Sequence, residues 1–357
     1  MRRLFKGCLI LAANVFALGC RSTNFPGFTR VTETSPYFIN RAGVRVAPQG
    51  DGDIVSFMMI ALGGDGSYQM LDMATDCSSR IFNDGGTRYK RDGQMLGPVN
   101  ADQQPSPLTS SDLSRAALEA CRAARENQSF GGAFDAQKAL TALFGNYDVG
   151  SKTSSVTVAR ECSYSGRALG TLSVMLDSLF SQAGTAKHLL VTSTTVEGED
   201  GHACGARIGA FVFTNRAGRW IPEIVDKEAL RFGESGKAYG EARLVRFAPD
   251  VYGFSLIGDK GDYEEFVAPV ANHYRSVLSV DLDLGNANHA PCGFPGYPAC
   301  VNSQLTVRLL GSAHGLFDVE TSEIGTELND QGGVVPVKRK RLYIFSGDKY
   351  VEQAAAH

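Results

Sequence analysis

From Lys187 to Phe345 the chain is a succession of short runs, wholly apolar or alternating, each cut off by Gly, Asn or Asp. Nine are legible, at 188–195, 208–213, 219–225, 242–247, 252–257, 279–284, 304–310, 316–320 and 341–345. A period of two sends successive side chains to opposite faces of a strand, and runs this short do not make stable helices. Many short strands joined by turn residues pair with their sequence neighbours. The expectation for residues 151–357 is an antiparallel β-rich domain, a sandwich or barrel-like.

Upstream, the runs 53–62 and 67–77 flank Gly63-Gly64-Asp65-Gly66 and predict a hairpin. Runs 79–82 and 87–90 predict a second one across Asn83-Asp84-Gly85-Gly86. Ser111-Asp112 caps a helix to about Arg125, with Leu113, Ala117, Leu118, Cys121 and Ala124 on one face. A second helix is expected at 134–144, stopped by Gly145. A third is expected at 169–183, with Leu172, Met175, Leu176, Leu179 and Phe180 on one side. Neither of these two has the basic polar face of a membrane-lying helix, so both are expected to pack in a core. The fold class is thus α+β, predominantly antiparallel β: a small β domain with C-terminal helices at 46–150, then the larger domain at 151–357. Residues 20–45, polar and rich in turn residues, read as a tether.

The first twenty residues carry an address. Arg2, Arg3 and Lys6 precede an apolar segment at 8–16, too short for the roughly 20 residues that span a bilayer, and Ala17-Leu18-Gly19-Cys20 follows. This pattern resembles the lipobox signal peptide of bacterial lipoproteins. The resemblance implies removal of residues 1–19 and acylation of Cys20 by a thioether-linked diacylglycerol and an amide-linked chain. With about 0.8 kcal/mol for each buried CH₂, such an anchor is effectively permanent, making the lipid bilayer the first partner. Arg21, where an aspartate would signal inner-membrane retention, implies the outer membrane, with the chain facing the periplasm or the surface.

Removal of residues 1–19 takes three of the 35 Lys+Arg against 38 Asp+Glu, so the net charge falls from −3 to −6, which argues against nucleic acid as a partner. The remainder exceeds the roughly 250–300 residues at which one core stops growing, so two domains are expected. Of eight cysteines, Cys8 leaves with the signal and Cys20 is acylated. Cys77, Cys121, Cys162, Cys204, Cys292 and Cys300 remain, an even number that in an exported chain reads as three disulfides. Sequential pairing, 77–121, 162–204 and 292–300, closes each loop within one local unit. No CxxC and no Cys/His zinc spacing occurs, so neither metal nor cofactor is expected.

Two further resemblances rest on particular residues. Tyr68-Gln-Met-Leu-Asp-Met-Ala-Thr-Asp-Cys77, Arg88-Tyr-Lys-Arg-Asp-Gly93 and a helix ending near Cys121 resemble the surface-adhesin protein E-like domain over residues 50–125. That resemblance implies the 77–121 pairing rather than adhesion. Gly201-His-Ala-Cys204, Phe211-Val-Phe213, Gly218-Arg-Trp220, Ala248-Pro-Asp-Val-Tyr-Gly-Phe254 and Tyr343-Ile-Phe-Ser-Gly-Asp-Lys-Tyr350 resemble a group of uncharacterised exported bacterial proteins over residues 187–352. It implies a shared fold and no activity. Gly201 replaces the first cysteine of their Cys-His-Ala-Cys motif, which sends Cys204 elsewhere, to Cys162.

Candidate chemistry is sparse. His202 and Cys204 could pair as base and nucleophile, but a cysteine in an oxidising compartment is expected in a disulfide. Gly233-Glu-Ser-Gly-Lys237 has Arg231 and Ala238 where a phosphate-binding loop needs Gly and Ser/Thr, and reads as a turn. Asp281 and Asp283 lack the rest of an EF-hand loop. No Gly-x-Ser-x-Gly elbow is present, and no catalytic residue is assigned. Lys338-Arg-Lys-Arg341 reads as a solvated hairpin connection or a charged edge strand, with anionic headgroups as the alternative use. Cys292 to Cys300 forms a nine-residue loop that displays Phe294 and Tyr297, a candidate binding surface. The functional expectation is a non-enzymatic binding or assembly module of the cell envelope, its partner an envelope component or a secreted protein. An envelope hydrolase with dispersed site residues is the alternative.

Overall fold

The computed structural model describes residues 25–46, 54–77, 80–101, 106–107, 112–158, 166–196, 204–234, 237–258, 261–284, 292–293, 299–311 and 315–353. Among these the architecture is predominantly antiparallel β with two α-helices. The chain divides into two compact units, Met1–Arg45 with Val55–Ala123 and Val46–Ile54 with Ala124–His357.

The first unit is built on one sheet, sheet I. Its strands are β1 (Thr29–Arg30), β2 (Tyr37–Ile39), β3 (Arg45–Val46), β4 (Val55–Leu62), β5 (Tyr68–Thr75), β6 (Arg80–Tyr89), β7 (Met95–Val99) and β8 (Ser106–Pro107). The order is β1-β2-β4-β5-β6-β7, with β3 beside β4 and β8 beside β6. The β4–β5 hairpin forms where expected, with Leu62 opposite Tyr68. Asn83-Asp84-Gly85-Gly86 is not a turn. It lies inside β6, where Met73 pairs with Asn83 and Asp72 with Gly85, leaving Asp84 as the extra residue of a β-bulge. Gly85 takes φ +109 there and donates its N–H to Asn83 Oδ1, so residues suited to a turn serve a bulge instead.

The expected tether is also corrected. Phe38 and Ile39 are buried, and β2 pairs with both β1 and β4. Phe25 packs edge-on against Phe38 and Tyr68, with ring centroids 5.2 and 5.1 Å away, and Tyr68 stacks on its cross-strand partner Tyr89. From Phe25 onward the chain belongs to the folded unit, because the short apolar triplet at 37–39 gains more by burial than by solvation.

Helix α1 (Asp112–Asn127) starts and ends close to its expected bounds. Its buried stripe is Ala116, Ala117, Ala120, Cys121, Ala123 and Ala124, whereas Leu118 is 56% exposed. Small side chains suit close backbone packing, and the Cys77–Cys121 disulfide ties this face to the end of β5.

The second unit begins with β9 (Phe130–Gly131) and α2 (Ala136–Phe144), then β10 (Thr153–Val158), β11 (Gly166–Gln182), β12 (Thr185–Val196), β13 (Ala206–Arg216) and β14 (Arg219–Phe232). These strands form sheet II in the order β10-β11-β12-β13-β14-β9. Sheet III holds β15 (Glu241–Ala248), β16 (Val251–Ile257), β17 (Tyr263–Val270) and β18 (His273–Asp281). Sheet IV holds β19 (Ser303–Leu310), β20 (Asp318–Leu328), β21 (Val334–Ser346) and β22 (Lys349–Glu352). Three hairpins turn on two residues of positive φ, Ala183-Gly184, Ala217-Gly218 and Ala271-Asn272, whose twist matches that of the strands they join.

Alternation along the strands stacks this unit in four layers. On β13, Ile208, Ala210 and Val212 face sheet III, where they meet Phe254, Leu256 and Val267. Phe211 and Phe213 face the other way, onto Leu140, Leu143 and Phe144 of α2. The far side of sheet III, with Phe247, Phe266 and Val277, packs on Val319, Tyr343 and Tyr350 of sheet IV. Each fully buried phenylalanine contributes about 1.5–3 kcal/mol. Asp135 caps α2 by accepting the Lys138 N–H at 2.9 Å, and its apolar face is core, as expected. The helix nevertheless packs on sheet II, so the expected boundary near residue 150 is displaced into α1.

The expected helix at 169–183 is strand β11. A bulge between Val174 and Leu176 shifts which face the side chains take. Leu172 therefore packs toward α2, while Met175, Leu176 and Phe180 pack toward sheet III.

Candidate functional site

The lipobox and Cys20 lie outside the described residues, as do His202, Cys162, Phe294 and Tyr297. What is described of the 292–300 loop is its root. The Cys292–Cys300 disulfide closes it, with Cα atoms 5.0 Å apart. Gly293 takes φ +74 beside the bridge, where a Cβ would stand 3.1 Å from Cys300 Sγ. The stem is held by Leu284 N–H to the Ser303 carbonyl at 3.0 Å and Leu305 N–H to the Leu282 carbonyl at 2.9 Å. Cys204 is disulfide-bonded, so it offers no thiolate nucleophile.

Residues 338–341 are a half-paired edge of sheet IV. Arg339 Nη2 lies 2.9 Å from Glu327 Oε2 and its Nη1 3.3 Å from Glu323 Oε2, while Lys340 Nζ reaches Glu320 at 3.1 Å. Acids of β20 neutralise this run, which leaves little field for anionic headgroups. Of Gly233–Lys237, read as a turn, residues 235–236 lie outside the described residues; Glu234 and Lys237 exchange backbone hydrogen bonds of 3.1 and 3.0 Å.

A polar cleft of about 480 Å³ opens at one end of the second unit. It is lined by Gln182, Thr185, Lys187, Thr214, Arg216, Glu223 and Asp250, among others. Lys187 and Thr214 are cross-strand partners on the sheet III side of sheet II. Glu223 is the extra residue of a bulge in β14, between Pro222 and Ile224, and a bulge re-aims the side chain it carries. Asp250, in the β15–β16 turn, accepts the Ala183 N–H at 3.3 Å.

Glu223 accepts from Lys187 Nζ at 2.6 Å and from the Thr214 hydroxyl. Burial pushes its carboxyl upward, but those hydrogen bonds and the charges of Lys187 and Arg216 outweigh it and hold the group below its usual value. The cleft thus presents fixed charges and hydrogen-bonding groups at its wall. Sequence reasoning missed it because its members come from four strands and a turn. Only strand registers and a bulge bring them together.

On the opposite face of sheet II, His188 stacks on Phe134 with centroids 3.8 Å apart, and its Nδ1 lies 2.8 Å from Asp177. Burial holds its pKa below the ordinary value against the pull of Asp177. Among the described residues, no three His, Cys, Asp or Glu side chains are placed to hold a metal ion. No helix among them is long and apolar enough to cross a membrane. The class these observations define is a two-unit, predominantly antiparallel β protein with disulfides. No family model, curated protein or solved structure matches the chain.

Proposed function

We propose that this chain is a lipid-anchored protein of the bacterial outer membrane that acts as a non-enzymatic binding module for another envelope component or a secreted protein. The address rests on Ala17-Leu18-Gly19-Cys20 behind a basic, apolar leader. The observation that carries the binding role is the cleft at the end of the sheet II–sheet III sandwich, since ligands bind in concave sites where a few polar groups converge. Its ion pair between Lys187 and Glu223 pre-organises donors and acceptors without leaving a free nucleophile.

The full-length chain should incorporate labelled palmitate and fractionate with outer membranes, and Cys20→Ala should abolish both. Unchanged label in Cys20→Ala would overturn the anchor. Copurification from detergent-solubilised envelopes, compared with Lys187→Ala, tests the binding role. A partner retained by the native chain and lost from the variant supports the cleft as its seat; equal recovery with both rules the cleft out.

A further inference from the structure

Arg207 lies near the start of β13 on the α2-facing side of sheet II, one pleat before Ile208, which faces sheet III. Thr194 on β12 and Arg231 on β14 are its direct cross-strand neighbours. Thr192, the next residue of β12 on that face, stands opposite Gly209. Arg207 is only 8% exposed. Its Nη1 donates to Glu228 Oε2 at 2.9 Å, and the other oxygen of Glu228 accepts from Arg231 Nε at 3.0 Å. Among the described residues, Nε and Nη2 of Arg207, both sealed from solvent, have no hydrogen-bond partner, and neither does the sealed hydroxyl of Thr192.

The two orphan nitrogens form one edge of the guanidinium. Their N–H bonds run side by side, and this edge accepts two oxygens of a single carboxylate or phosphate. Glu228 occupies Nη1 and divides its oxygens between two arginines, so it does not reach around to that edge. A buried amine could shed its charge by losing a proton, but a guanidinium keeps it. Buried polar groups are ordinarily paired, and a water would offer one oxygen to two parallel donors and no negative charge. The Thr192 hydroxyl and the Phe211 ring both close on Gly209, where a Cβ would stand 2.8 Å from each.

We infer that the second unit encloses a binding site for a small oxyanion, held side-on by Arg207 Nε–H and Nη2–H with the Thr192 hydroxyl next to it. The occlusion of both nitrogens confines the ligand to a small anion, such as a simple carboxylate or an inorganic phosphate. The site is distinct from the cleft at Lys187 and Glu223 and does not depend on the lipid anchor.

The test replaces chloride by sodium acetate or inorganic phosphate at constant ionic strength, following arginine Nε–H resonances by NMR and the thermal midpoint of the purified chain. One Nε–H resonance, absent from Arg207→Lys, should shift saturably as the midpoint rises. Half-saturation should weaken about tenfold or more in Arg207→Lys, which keeps the charge and loses the fork. Saturation by acetate identifies a carboxylate ligand and saturation by phosphate a tetrahedral one; either supports the site. No anion-specific response in the native chain overturns it. Should Arg207→Lys fail to fold, Thr192→Val serves in its place, and half-saturation unchanged by that variant overturns the site as well.

Discussion

Glu323 on β20 and Arg339 on β21 stand directly opposite each other, with Arg339 Nη1 3.3 Å from Glu323 Oε2. Glu323 is 5% exposed and also accepts from Ser303 Oγ at 3.0 Å, while Arg341 Nη2 lies 4.0 Å away. The arginines reach toward solvent and can be rehydrated when the carboxylate is removed, but the buried Ser303 hydroxyl cannot. Glu323→Ala should therefore destabilise the second unit by about 2–3 kcal/mol, with Glu323→Gln losing less because it can still accept from Ser303. Urea unfolding measures both. A loss below about 0.5 kcal/mol would mean that the ladder behaves as a solvated surface array.

The same residues show where sequence reading reaches and where it stops. The apolar flanks of Lys338-Arg-Lys-Arg341 left it readable as a hairpin connection or a charged edge strand, and it lies within β21. Its neutralisation depends on the β20–β21 register, which no local pattern encodes. Strand β11 failed for a related reason. Its apolar residues serve both faces of sheet II, and the bulge at Val174/Leu176 converts a period of two into spacings that mimic a helix. Asn83 to Gly86 carries turn chemistry that a bulge can use equally well. Helix α1 was legible from its cap and apolar stripe, although Leu118 of that stripe is exposed, and α2 from its stripe and the stop at Gly145. The cleft was not, since Lys187, Thr214 and Glu223 signify nothing until three strands align them.

His188 and Glu223 give acid sensitivity in two windows. The folded chain holds the His188 pKa below its ordinary 6.5, through burial against the opposing pull of Asp177. The unfolded chain therefore takes up a proton at higher pH, and the contribution of His188 is complete above about 6.5 and lost as pH falls below it. Glu223, with its pKa lowered from 4.5 by Lys187 and Thr214 against burial, adds a second loss below about 4.5. The thermal midpoint should fall between pH 7.5 and 5 in the native chain and fall less in His188→Gln. Equal slopes in the two proteins would remove His188 as the source.

The two described bridges should differ in worth. Cys77–Cys121 spans a separation of 44 residues and Cys292–Cys300 one of 8. Chain-entropy arguments give about 4 kcal/mol for the first and about 2.5 kcal/mol for the second. Paired serine substitutions at 77 and 121 should expose the first unit to limited proteolysis at temperatures where substitutions at 292 and 300 leave both units intact. Free thiols in the native chain by alkylation and mass spectrometry would refute the bridges themselves.

Phe25 limits how far an anchored chain can stand from its membrane. Its ring is docked on Phe38 and Tyr68, and β1 follows within sheet I, so only residues 21–24 separate Cys20 from the folded unit. Five residue steps, fully extended, span at most about 18 Å. With Cys20 acylated, the first unit must lie against the headgroup layer rather than on a long stalk. A fluorophore at Asp65, in the turn preceding Tyr68, should transfer energy strongly to a headgroup acceptor in proteoliposomes. Inserting ten Gly/Ser residues after Arg21 should reduce that transfer, because a flexible linker of that length adds roughly 15–20 Å of root-mean-square reach. Equal transfer in the native and lengthened chains would show that surface attraction, and not the short connection, sets the distance.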